Sequence, residues 1–139
     1  MILHLGVIEQ PYAEETVTTG DVAEILEDKY EVMGGFFYLH RDDINESLCN
    51  GLAGAVEALM SGVKIDPFGE SMSKIQSDFK KYLEREEIVY THSPGTVPTK
   101  AALLGQSKRK KHKYAKGERR PSFIDTGIYE SSFIAWIEP

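Results

Sequence analysis

The sequence predicts an α+β domain: three main helices packed on a small, mainly antiparallel sheet, with a long basic loop or arm. Three observations predict it. Apolar residues recur every three to four positions in three stretches between residues 18 and 87, the period of an amphipathic helix. β-Branched and aromatic runs stand near both ends of the chain, at 2–9 and 131–138, and again at 35–40, where the sheet is expected. Residues 91–122 hold three prolines, three glycines and a run of lysine and arginine. At 139 residues a single domain, 1–139, is expected, with 91–122 a protruding, partly flexible docking arm.

Residues 2–9 (ILHLGVIE) read as the first strand, with Leu3, Leu5 and Val7 on one face and Ile2 and Ile8 on the other. Residues 13–17 read as a short strand or a loop. The first helix opens at Thr18-Thr19-Gly20-Asp21, a hydroxyl followed three positions later by an acid that can reach back to it. Val22, Ile25, Leu26, Tyr30 and Met33 follow at helical spacing, and Gly34-Gly35 is expected to stop the helix. Phe36-Phe37-Tyr38-Leu39-His40 has high β-propensity and reads as a strand; the rival reading continues the helix past a kink.

Asp42 or Asp43 then caps a second helix reaching about Met60, in which Ile44, Leu48, Leu52, Val56 and Leu59 recur. Gly51 and Gly54 each cost this helix up to ~1 kcal/mol, and close approach of another backbone is the compensation expected. Ser61-Gly62 closes it. A third helix runs from about Ser71 to Glu87 on Met72, Ile75, Phe79, Tyr82 and Leu83. A short one is expected within 96–105, with Pro98 near its start and Gly105 at its end. Asp125-Thr126-Gly127 reads as a turn and Ile128–Ser132 as one turn of helix. Phe133–Ile137 alternates as a strand fit to pair with the N-terminal one.

The composition, 41% hydrophobic and 27% charged, is that of a globular protein with a modest core. No apolar run approaches the ~20 residues of a membrane span, so no membrane role and a cytoplasmic chain are expected. The single cysteine, Cys49, cannot form an internal disulfide and reads as a small buried hydrophobe. His4, His40, His92 and His112 include no pair at helical spacing and no HExxH, so no metal site is expected. His4 and His40 read as core-edge residues. Acid pairs lie at helix ends or in loops, and no phosphate-binding glycine pattern or GxSxG is present. A non-enzymatic chain without cofactors is the expectation.

The net charge of −6 hides an asymmetry. Lys108, Arg109, Lys110, Lys111, Lys113, Lys116, Arg119 and Arg120 are half of the 16 basic residues and face one acid, Glu118; this stretch carries +7 and the remainder −13. Such a split suggests a partner surface or a flexible arm. Three readings stand: a nucleic-acid backbone contact with Tyr114 available for stacking, an arm that binds an acidic protein, and a solvated loop.

The stretch Arg120-Pro121-Ser122-Phe123-Ile124-Asp125-Thr126-Gly127-Ile128-Tyr129-Glu130-Ser131-Ser132-Phe133-Ile134-Ala135-Trp136 resembles the end of tailed-bacteriophage neck proteins, the tail-completion or head–tail joining class. Those proteins carry a proline, an Asp-Thr-Gly turn, a hydrophobic residue, a serine and a closing strand. Gly95–Leu103 and Thr19–Tyr30 are similar to phage virion proteins as well. The long basic insertion, and Tyr129 in place of a basic or polar residue, depart from the pattern.

The resemblance implies a structural virion protein at the head–tail junction or tail end, found in the virion and in the host cytoplasm during assembly. It would work by ring assembly and by docking to other neck or tail proteins: a portal-proximal adaptor, a tail tube or a terminator. The docking residues expected are the eight basic ones with Tyr114, Tyr129 and Trp136. The alternative is a nucleic-acid-binding accessory protein using 108–120. Asp125-Thr126-Gly127 reads as a turn device, since the aspartic-protease use of that triplet needs two copies or a symmetric dimer.

Overall fold

The computed structural model describes residues 1–12, 16–91, 97–107 and 115–138. Strand β1 (Ile2–Val7) is followed by α1 (Thr19–Tyr30), α2 (Val32–Met60), α3 (Gly69–Glu84), a 3₁₀ turn (Glu87–Tyr90), α4 (Lys100–Leu103), α5 (Ile128–Ser132) and β2 (Phe133–Glu138). The α+β expectation holds: three main helices lie against a small antiparallel sheet. That sheet has two strands, β1 and β2, paired from Ile2↔Glu138 to Val7↔Phe133. The register joins the two ends of the chain.

α1 begins at the capping box read from the sequence. The Thr18 hydroxyl accepts from Asp21 N, and the Asp21 carboxylate accepts from Thr18 N at 2.8 Å. The next residue, Thr19, is fully buried. Its hydroxyl donates to Ile8 O at 2.7 Å and accepts from Gln10 N at 2.8 Å, which ties the start of α1 to the end of β1.

The end of α1 corrects the sequence reading. The chain breaks at Glu31, which takes a left-handed conformation (φ 48°). α2 starts at Val32, so Gly34-Gly35 lies inside its first turn and 35–40 is helix, as in the rival reading. The physical reason is packing. Val32, Phe36, His40 and Ile44 recur every four residues, and all but the half-buried His40 are buried. Aromatic β-propensity yields to that burial. Gly35 is held there by a close approach: a Cβ would stand 2.9 Å from Tyr82 Oη and 3.0 Å from Thr91 Oγ1.

The core is aromatic. Phe36 meets Phe79 edge-on at 5.2 Å, and Phe79 stacks on Phe133 at 3.8 Å between ring centroids. α3 contributes Ile75, Phe79, Tyr82 and Leu83, the stripe read from the sequence, and β1 adds Leu3, Leu5 and Val7 from its inner face. Tyr129 closes one side, its ring tilted against Phe79 at 6.2 Å.

α2 is far longer than its partner. Its 29 residues span about 43 Å, against about 24 Å for the 16 of α3. α3 begins beside the middle of α2, where Ser71 Oγ donates to Ser47 O at 2.9 Å. A Cβ on Gly51 would stand 2.1 Å from Pro67 O, so this glycine admits another backbone as expected, whereas a Cβ on Gly54 would meet nothing within 4 Å, so the expectation fails there. Beyond that point no residue of α2 is buried.

Candidate docking surface

Lys108, Arg109, Lys110, Lys111, Lys113 and Tyr114 lie outside the described residues. The chain on either side of them is folded into the domain. Val97 is in the core, Thr99 caps α4, and Gly105 closes it with φ +60°. Gly117 N donates to Leu104 O at 3.0 Å, and a Cβ on Gly105 would stand 2.3 Å from Glu118 O. The two ends of the basic segment are therefore clasped together at Gly105 and Gly117. Residues 97–107 and 120–122 are anchored in the domain, where Thr99, Ala102, Leu104 and Arg120 find backbone or side-chain partners.

Of the other basic residues, Lys116 and Arg119 are exposed, and Arg119 pairs with Glu86. Arg120 is committed to the interior. Its guanidinium donates to the carbonyls of Pro121 (3.2 Å), Ile124 (2.9 Å) and Gln106 (3.0 Å), and its Nε lies 3.8 Å from Asp125 Oδ1. Arg120 is thus a staple across the base of the basic segment. A guanidinium suits that role because its planar fork can bind several carbonyls at once. Glu86, itself left-handed at φ 52°, accepts from both Ser122 N (3.0 Å) and Ser122 Oγ (2.8 Å). The Asp125-Thr126-Gly127 turn is present, with Gly127 at φ +77° leading into α5 and Asp125 accepting from Ser107 Oγ at 2.6 Å.

Arg120, Asp125 and Tyr129 line a cavity of about 160 Å³ with Tyr12, Ser122 and Phe123. Tyr129 is 4% exposed, so in this chain it belongs to the core and offers a partner almost no surface. Burial, with the charge of Glu27 adding, pushes its hydroxyl above the ordinary phenol range.

Trp136 is placed differently. It is 43% exposed on the outer face of the sheet, stacked on the His4 ring at 5.0 Å and lying over Gly6, where a Cβ would meet the indole at 3.1 Å. His4 Nε2 stands 2.8 Å from Glu138 Oε2 across the strands. With Ile2 and Ile8 exposed beside them, the outer sheet face presents an aromatic centre in an apolar setting.

The surface the sequence reading missed is on α2. From Asn45 to Glu70 no residue is buried, yet Leu52, Val56, Leu59, Met60, Val63 and Ile65 lie in this stretch, 39% to 85% exposed. The recurrence of Leu48, Leu52, Val56 and Leu59 was visible as a helical stripe, and only Ile44 at its head is buried. Cys49, expected inside, is exposed.

His40, expected at the core edge, is half-buried with Nε2 2.7 Å from Glu87 Oε2. Among the described residues no group of three His, Cys, Asp or Glu side chains could hold a metal ion, and no helix is long and apolar enough to cross a membrane. No protein-family model matches the chain, and neither a curated protein nor a solved structure matches it at a significant level.

Proposed function

We propose that this protein is a non-enzymatic structural component of a tailed-phage virion, acting at the head–tail junction or tail end through ring assembly and docking to other neck or tail proteins. The observation that carries the docking part is the long apolar face of α2, left in water while the rest of the chain builds a well-packed aromatic core. Exposed apolar patches of that extent mark association surfaces. The assignment to a phage neck rests on the likeness of Arg120–Trp136 to the closing segment of such proteins. In this fold that segment forms the staple, the turn, α5 and β2.

Charge agrees with the reading. An acidic body repels DNA passing through a channel, while a basic segment clasped at its base can reach an acidic neighbour. The test is quantitative peptide mass spectrometry on purified, nuclease-treated particles of the encoding phage. Peptides at a low, ring-like copy number per particle are expected. Absence from intact particles, with abundant protein in the lysate, overturns the assignment and favours the nucleic-acid reading of the basic segment.

A further inference from the structure

We infer that the second half of α2 pairs in parallel with the same helix of a second copy of this chain. The inference goes beyond the assembly reading: a two-fold pair closes on itself, so it names a second contact between copies, distinct from the head-to-tail contact that a ring needs.

The half-helix from Leu48 to Met60 is about a dozen residues long, contains Gly51 and Gly54, and has no buried residue. Each glycine costs it up to ~1 kcal/mol, and burying its apolar face against a partner offsets that cost. The exposed parts of Leu52, Val56, Leu59 and Met60 leave on the order of 500 Å² of apolar surface on that face. That is more than half of the ~800 Å² per partner of a standard stable interface.

The pattern on that face selects the occupant. Cys49, Leu52, Val56 and Leu59 are spaced three, four and three apart, the a-d-a-d seam of a coiled coil over two heptads. Cys49 and Val56 take the a positions, Leu52 and Leu59 the d positions. Val56, one of the two a residues, is β-branched and both d residues are leucine, a combination that parallel two-stranded pairs prefer. The flanking positions Ala53, Ala55 and Met60 carry no charge to repel an identical helix or attract a charged one, and the fourth, Leu48, packs against the chain's own core. Glu57 is the one charged residue in this stretch and lies off the seam. Two chains of net charge −6 can therefore meet here without like charges in contact. Asp42, one heptad before Cys49, marks where the apolar face ends toward the body.

The test is sedimentation of the full chain under reducing conditions across the micromolar range, beside Val56→Lys, Leu59→Lys and the off-seam Glu57→Lys. A mass twice the 15.6 kDa of one chain is expected. Val56→Lys and Leu59→Lys should each weaken pairing about thirtyfold or more, and Glu57→Lys should leave it unchanged. All three side chains are exposed, so near-UV circular dichroism of the aromatic core serves as the folding control.

Diamide oxidation gives a second readout. Parallel pairing sets Cys49 against Cys49 of the second copy. The two thiols then give up two electrons and two protons to diamide and form one intermolecular disulfide, which Cys49→Ser abolishes. A single-chain mass throughout, or pairing that survives both seam variants, overturns the proposal; pairing without the crosslink overturns the parallel arrangement. Absence of the protein from particles bears on the assembly reading alone, and a monomeric chain bears on the pairing alone.

Discussion

Tyr129, expected among the docking residues, is 4% exposed in the single chain. Its ring fills the core beside Phe79, and its hydroxyl has no hydrogen-bond partner among the described residues. Tyr129→Phe is therefore expected to hold or raise stability, staying within ~1 kcal/mol, because an unpaired buried hydroxyl is no gain to lose. Tyr129→Ala should cost about 3–5 kcal/mol through the cavity it leaves. Urea denaturation of the two variants checks both. Its neighbour Glu130 carries a pH signature. Burial, with the charge of Glu84 adding, raises its carboxyl above the ordinary range, against the pull of Lys80. A raised carboxyl favours the neutral form in the folded state, so stability is lost as pH rises through the folded value. Glu130→Gln should raise the melting temperature at pH 7, and the gain should vanish below the ordinary glutamate range. Melting curves across that range read the sign directly.

The corner between α1 and α2 is built by one carboxylate. Glu27 accepts from Met33 N at 2.8 Å and from Gly34 N at 2.9 Å, serving amides that the first turn of α2 leaves unpaired. Glu27→Ala is expected to cost about 1–2 kcal/mol, the usual loss for a helix cap, measured as a lower denaturation midpoint with unchanged slope. The same corner explains what could be read locally. The Thr18–Asp21 box was legible because its partners are three residues apart. The helix start at Val32 was not, because Glu27 caps it from the preceding helix and Gly35 is required by Tyr82 and Thr91, 47 or more positions away. Likewise the spacing of Leu48, Leu52, Val56 and Leu59 announced an apolar face, but whether that face is covered depends on where α3 starts.

Over the whole molecule the charge split and the packing pull in different directions. The acidic body is organised around its aromatic core, and the basic segment leaves and returns through the Gly105–Gly117 clasp and the Arg120 staple. With the base closed by contacts outside 108–114, replacing those residues by a short Gly-Ser linker should leave the denaturation midpoint nearly unchanged, within ~1 kcal/mol, since loop length changes closure entropy only slowly. The same replacement should abolish incorporation into phage particles if the segment is the docking element, as particle mass spectrometry would show.

Features set over a few residues are written locally in the chain: the capped start of α1, the α3 stripe, the Asp125-Thr126-Gly127 turn, and the alternation that fits β1 and β2 to each other. Tertiary structure alone decided that 35–40 is helix, that Arg120 and Tyr129 turn inward, and that half of α2 stays bare. Hydrogen bonds and periodicity act within a window of the chain, whereas burial is decided by which distant segment arrives and how far it reaches.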